Sequence, residues 1–146
     1  MKFITLTLTA LISLGAVKSN AQDINVSSAI VNSFKTSFNN TSDIKWKDCG
    51  SFVRADFNMS GQYVTAYYDQ NAALMAVTKN IPSVQLPVTL QANLRKNYRN
   101  FWVSDLFELS DESGTTYYAT VENNDAKITL KSSGGTWTTY KKQRKS

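Results

Sequence analysis

Two four-rung apolar ladders, sixty positions apart, constrain this chain more than any other feature. Val26, Ile30, Phe34 and Phe38 form the first, and Leu86, Leu90, Leu94 and Tyr98 the second. A spacing of four drifts around an α-helix by about 40° per step, so each ladder is a slanted stripe on one helix. Ser27 stands where a hydroxyl accepts a free amide of the first turn. Pro87 has no N–H to leave unpaired there, and its fixed φ suits a helix start. Val26 and Leu86 precede these starts as staple residues, with Val31 and Gln91 at the partner positions; Gln91 is a poor staple partner. The helices are expected to end near Phe38 and Tyr98, followed by Asn39-Asn40 and Arg99-Asn100, because asparagine tolerates the left-handed turn that stops a helix.

After each ladder the period changes from four to two, which marks strands. The expected strands are residues 52–57, 63–68 and 73–78, then 103–109, 116–121, 126–131 and 136–140. Ser60-Gly61, Asp69-Gln70-Asn71, residues 111–114, Asn123-Asn124 and residues 132–135 separate them as tight polar turns. Such turns between alternating runs are hairpin signals, so the sheet is expected to be antiparallel. The fold class expected from this pattern is α+β: two tandem helix-plus-antiparallel-sheet repeats, 24–80 and 84–140, forming one curved sheet with the helices on one face. Residues 79–87, containing Pro82 and Pro87, connect them. Residues 22–140 form a single domain in this reading, and 141–146 a solvated basic tail.

The start of the chain reads as a signal peptide. Met1-Lys2 is a short basic start, residues 3–17 are apolar, and Ser19-Asn20-Ala21 offers small residues for cleavage after Ala21. The apolar run is shorter than the ~20 residues that span a bilayer. Removing residues 1–21 leaves 125 of the 146 residues and lowers the formal charge from +5 to +3 through loss of Lys2 and Lys18. The expected location is periplasmic or secreted, without a transmembrane segment after cleavage. Nucleic acid is not an expected partner, because no interleaved basic face exists. The Asn-x-Ser/Thr triplets at Asn25, Asn39, Asn40 and Asn58 read as polar turns in a bacterial route.

If Val53, Ala55, Phe57, Val64, Ala66, Tyr117, Ala119, Val121, Ile128 and Leu130 point at the helices, their neighbours point away. That second set contains Phe52, Arg54, Asp56, Tyr63, Thr65, Tyr67, Tyr118, Thr120, Lys127, Thr129 and Lys131. Aromatics with an arginine are enriched at interfaces, so Phe52, Arg54, Tyr63, Tyr67, Tyr118 and Lys127 are the candidate partner-binding residues. Tyr and Phe also simply favour strands and their cross-strand pairs. A one-residue bulge would exchange the two sets.

The opening at Val26, Ile44-Lys45-Trp46 after Asn39-Asn40-Thr41, the Gly61 hairpin, the Asp69-Gln70-Asn71 turn and the second opening at Leu86-Pro87 together resemble the PepSY-like family of exported bacterial proteins. That family is related in fold to the β-lactamase inhibitor proteins. The resemblance covers nearly all of residues 24–140. It implies two helix-plus-sheet repeats in one curved sheet, and a role in binding or inhibiting envelope proteins, peptidases among them, without enzymatic activity. Phe101-Trp102 departs from the family's small or charged turn, and residues 132–135 lack its acidic turn residue. No inhibitory residue carries over.

The chain has no histidine and one cysteine. Ser-His-Asp and Cys-His catalysis, thiolate clusters and His-ligated haem are therefore excluded. The acidic pairs Asp105/Glu108 and Asp111/Glu112 remain, the second in a turn beside Ser113-Gly114. Asp69, Asn71 and Asp125 lack EF-hand spacing, and no glycine-rich phosphate loop occurs. The expectation is a non-enzyme with no cofactor and no metal, binding a protein or peptide of the cell envelope as an inhibitor or regulator. The alternative is a small-ligand carrier with an apolar pocket between helices and sheet, near Trp46, Phe101, Trp102 and Trp137. Cys49 reads as a small apolar residue in a turn, with bridging between chains left open.

Overall fold

In the computed structural model, which describes residues 25–146, both ladders lie on helices. Helix α1, Ser28–Ser37, is capped by Ser27, whose Oγ accepts the Ile30 amide at 3.3 Å. Its buried rungs are Ile30 and Phe34. Asn40 then takes φ 55°, the left-handed conformation that turns the chain out of the helix. Helix α2, Val88–Asn97, follows Pro87 and buries Leu90 and Leu94. Gln91 secures its entry by a polar route, donating from Nε2 to the Leu86 carbonyl at 2.8 Å.

The strands are β1 Thr41–Asp48, β2 Val53–Met59, β3 Gln62–Tyr68, β4 Leu74–Asn80, β5 Trp102–Asp111, β6 Gly114–Glu122, β7 Ala126–Ser133 and β8 Thr136–Arg144. They form one eight-stranded sheet in chain order, and each strand runs antiparallel to the next. This corrects the expected α+β arrangement of two helix-plus-sheet repeats. The fold is mostly β: a single uninterrupted sheet with two helices of ten residues each. At β4 against β5, five consecutive Cα pairs from Ala76↔Asp111 to Asn80↔Phe107 carry the ladder straight across the middle, so the eight strands dominate and no boundary divides the sheet into repeats. A ladder satisfies backbone donors and acceptors whatever the side chains are, so the sheet extends well beyond the alternating runs.

The same reasoning corrects the basic tail. Lys141, Lys142 and Arg144 pair with Thr129, Ile128 and Ala126, so the last strand continues through them. Their charges stand on an outer edge strand, where they oppose pairing with another chain. The signal-peptide segment 1–21 and its cleavage site lie outside the described residues. No helix among the described residues is long and apolar enough to cross a membrane.

Two apolar clusters occupy the helix side of the sheet. Ile30 and Phe34 of α1 pack with Val53, Ala55, Phe57, Val64, Ala66 and Tyr68. Leu90 and Leu94 of α2 pack with Leu106, Ala119, Val121, Ile128 and Leu130, among others. Between them, across the β4–β5 seam, Lys79 meets Glu108 at 3.0 Å. Trp137 Nε1 donates to the Leu90 carbonyl at 3.0 Å, which ties α2 to β8.

Tyr68 is the one flaw in this packing. Its ring is fully buried, yet its hydroxyl has no hydrogen-bond partner among the described residues. Burial pushes its pKa up to about 12; the Ser37 and Ser33 hydroxyls are close enough to temper that rise but lie outside hydrogen-bonding geometry. The folded chain thus keeps Tyr68 neutral while the unfolded chain ionises near its ordinary value of 10.0, so stability is lost as pH climbs from there towards 12. Tyr68→Phe is expected to match or exceed the wild type by up to about 1 kcal/mol near neutral pH, since an unsatisfied buried group is removed. It is also expected to retain on the order of 2 kcal/mol that the wild type loses across the alkaline window. Urea titrations at the two ends check both statements. A clear loss at neutral pH would show that the hydroxyl is bonded.

Candidate partner-binding face

The face opposite the helices is built first by the β2–β3 hairpin. Its two-residue turn, Ser60-Gly61, has φ 52° and 77°, the paired positive values that match the twist of the flanking strands. The register then places Arg54 opposite Tyr67, Asp56 opposite Thr65 and Asn58 opposite Tyr63, with no bulge between. Residues two apart on a strand share a face, so Arg54 and Asp56 stand side by side. Arg54 Nε donates to both carboxylate oxygens at 3.0 and 2.9 Å, and Nη2 donates to Oδ2 at 2.6 Å. Thr65 Oγ1 donates to Oδ1 at 2.6 Å. The carboxylate is therefore saturated, and it holds the guanidinium in one orientation. Burial works against the charge on Arg54, but the hydrogen bonds and charge of Asp56 outweigh it and raise its pKa.

Rings flank this network. Phe52 meets Tyr67 edge-on at 5.8 Å. Burial raises the Tyr67 pKa, a rise that a bond with Thr78 and the charge of Arg54 partly oppose. Tyr63 is raised by burial first and by the Asp56 charge second. The same face continues across the seam. Cα pairs run from Thr65 through Thr78 to Leu109 and from Tyr67 through Ala76 to Asp111. Asn80 pairs with Phe107, Phe107 with Tyr118, and Tyr118 with Lys131. Tyr118 stacks on Phe107 at 5.1 Å and 14°, meets Tyr140 edge-on at 5.7 Å, and lies 6.0 Å from Lys131 Nζ. Burial, then the nearby Tyr140 and Asp111, raise its pKa.

Of the six candidate residues, the structure thus brings Phe52, Arg54, Tyr63 and Tyr67 together. Tyr118 belongs to a separate cluster with Phe107 and Leu109. Lys127 sits farther along, paired with Glu122 and Gln143. Exposure separates them further. Tyr63 is 48% exposed, whereas Tyr67 and Tyr118 are 7% and 5% exposed despite having no helix above them. Neighbouring side chains on their own face cover them, so these two rings support the surface and do not present themselves to a partner. Tyr63 also lines a cleft of about 540 Å³ at the end of the seam, with Asn80, Val103 and Asp105. Asn80 Nδ2 donates to Asp105 Oδ1 there at 3.1 Å.

Several contributors were missed by the sequence reading. Asp56 was legible, because a carboxylate two positions after an arginine on a strand shares its face. Phe107 was not, because a bulge between Val103 and Asp105 interrupts the alternation of β5. Trp102 is half exposed and carries Lys145 Nζ 4.8 Å from its ring centre, while Lys145 also pairs with Glu122 at 3.1 Å. The face is positive on balance: Lys45, Lys47, Arg54, Lys127, Lys131, Lys141 and Lys145 outnumber Asp43, Asp56, Asp105, Asp111 and Glu122. Two of those five carboxylates are already paired, with Arg54 and Lys145.

Cys49 lies in the β1–β2 turn beside this face, its amide donating to the Phe52 carbonyl at 2.9 Å. Burial raises the thiol pKa above its ordinary 9.0, and Lys47 and Arg54 offset that only in part. The thiolate is the nucleophile, so alkylation by iodoacetamide near neutral pH is expected to be several-fold slower than for an unstructured cysteine peptide. A rate equal to the peptide's would mean an activated thiol.

No protein-family model matches the chain. No curated protein matches it either. Solved structures do. A BLIP-like protein from Bacteroides fragilis is 25% identical with a TM-score of 0.69, covering 83% of this chain and 87% of its own. The fold is BLIP-like. A DUF2874 family protein from Bacteroides uniformis is 14% identical with a TM-score of 0.71 over 82% of this chain and 89% of that one. A protein from Bacteroides eggerthii, described as a candidate periplasmic protein, is 12% identical with a TM-score of 0.73 over 82% and 88% of the two chains.

Proposed function

We propose that this chain is a non-enzymatic exported binding module that holds an acidic protein or peptide of the cell envelope on the helix-free face of its sheet. The observation that carries this reading is Arg54, half-buried and fixed by a buried Asp56, beside the exposed ring of Tyr63 on a face with surplus lysines. A guanidinium held in one direction has already lost the side-chain freedom that binding would otherwise cost. Positive charge around it steers and selects an acidic partner. The BLIP-like and candidate periplasmic neighbours support a binding role in the envelope. Inhibition or regulation of an envelope peptidase, membership of the PepSY-like family and cleavage after Ala21 belong to the same reading.

The test is capture from the native envelope with purified wild type and a Tyr63→Ala/Lys131→Ala variant. Both residues are exposed, so the melting temperature is expected to stay unchanged. Capture of the partner is expected to fall at least about ten-fold, as for loss of a central aromatic and a steering charge. Undiminished capture by the variant rejects this face. Tyr67 and Tyr118 are poor choices for the experiment, because truncating covered rings damages the fold itself.

A further inference from the structure

A second cleft opens on the helix side of the sheet, between α2 and the start of β5, and shares Ser83 and Val103 with the Tyr63 cleft. It holds about 420 Å³, and its lining includes Leu94, Arg95, Tyr98, Arg99, Phe101 and Val103. Leu94 and Val121 at its floor are 8% and 1% exposed, so it reaches the apolar core. Tyr98 and Phe101 meet edge-on at 5.7 Å along one wall. The other side of the core shows what a filled version looks like. Under α1, Phe34 contacts Phe38, Trp46 and Phe57 at centroid distances of 5.3, 5.3 and 4.9 Å. Under α2, the positions sixty residues beyond Phe34 and Trp46 hold the smaller Leu94 and Leu106.

The mouth is cationic. Arg95 and Arg99 line it, no carboxylate does, and neither guanidinium has an ion pair or hydrogen bond among the described residues. A helix C-terminus favours positive charge in its last turn. That accounts for Arg95, but it does not account for an apolar, carboxylate-free recess beneath two guanidiniums. Guanidinium forks match a carboxylate in two parallel hydrogen bonds, and recesses of several hundred Å³ hold small ligands.

We infer that this cleft binds an amphipathic carboxylate of medium chain length. The headgroup sits between Arg95 and Arg99, and the alkyl body lies against Leu94, Phe101 and Val103. This site goes beyond the protein-binding role and stands or falls separately from it.

The test is calorimetric titration of the protein with decanoate and with decanol, which has the same tail and no charge. Saturable one-to-one decanoate binding is expected. Decanol, and decanoate with the Arg95→Gln/Arg99→Gln variant, are each expected to bind at least about ten-fold more weakly, the loss of a charge-assisted contact. Val103→Trp, which fills the mouth from an exposed position, is expected to remove decanoate binding while leaving the far-UV circular dichroism unchanged. Absence of saturable decanoate binding overturns the inference. So does decanol binding as tight as decanoate, or undiminished binding by either variant.

Discussion

Replacing Phe57 by Ala is expected to cost about 3–5 kcal/mol of folding stability. Phe57 is 1% exposed and meets Phe34 edge-on at 4.9 Å and Phe38 at 5.0 Å. It is the strand-side ring on which α1 rests. Removing it leaves a cavity that the neighbouring rings cannot close, because Phe34 is held by the helix backbone and Trp46 by β1. The loss combines transfer of a buried ring back to water with the surrounding contacts that go unmade. Domains of this size are stable by about 5–15 kcal/mol, so the variant sits near the limit of folding at growth temperature. Chemical denaturation should show a lower midpoint with an unchanged slope. Phe38→Ala provides the control: that ring is only half-buried, and its loss should cost roughly a third to a half as much. Similar losses for the two would mean that α1 does not rest on Phe57.

The second large effect is expected at Asp56. Asp56→Ala strands a guanidinium whose side chain is 32% exposed and a buried Thr65 hydroxyl, each of which now points at the removed carboxylate. Breaking a fully buried pair costs about 3–5 kcal/mol, and partial solvent access to Arg54 reduces this to about 2–3 kcal/mol. Asp56→Asn keeps an oxygen that accepts one of these bonds and should cost about half as much. The functional consequence follows from the geometry. Without the carboxylate, Arg54 regains its rotamers, so partner binding should weaken in Asp56→Asn by more than its stability loss alone explains. Thermal unfolding and partner capture measured on the same variants separate the two effects. Equal capture by Asp56→Asn and wild type would show that a fixed Arg54 is not what the partner reads.

The division between the two facing sets of β2 and β3 residues was legible because nothing interrupts it. Val53, Ala55 and Phe57 alternate with Arg54, Asp56 and Asn58 opposite an equally regular β3. Where the backbone adds a residue, alternation fails as a guide: the Val103/Asp105 bulge hid Phe107, and the Ser42/Lys45 bulge left β1 visible only around Trp46. Of the six candidate residues Phe52, Arg54, Tyr63, Tyr67, Tyr118 and Lys127, the first four lie together on β2 and β3 and the last two apart from them, and strand alternation carries no information on their exposure. Tyr118 is covered by Phe107 and Tyr140, which lie on different strands and far along the chain. No local pattern encodes that cover. The pocket near the four aromatics was likewise only partly placed. Phe101 lines the α2 cleft, whereas Trp46 and Trp137 pack into the core clusters and Trp102 faces outward.

Helix starts, hairpin turns and the switch from a period of four to a period of two are properties of neighbouring residues, set by backbone sterics and local hydrogen bonds. The amino-acid order determined those by itself. The register that joins the two halves of the sheet was decided by β4 meeting β5, a pairing between segments some thirty residues apart. Which rings of the helix-free face are covered was likewise decided by tertiary neighbours, Phe52 beside Tyr67 and Phe107 and Tyr140 beside Tyr118, since burial depends on what the other strands bring alongside.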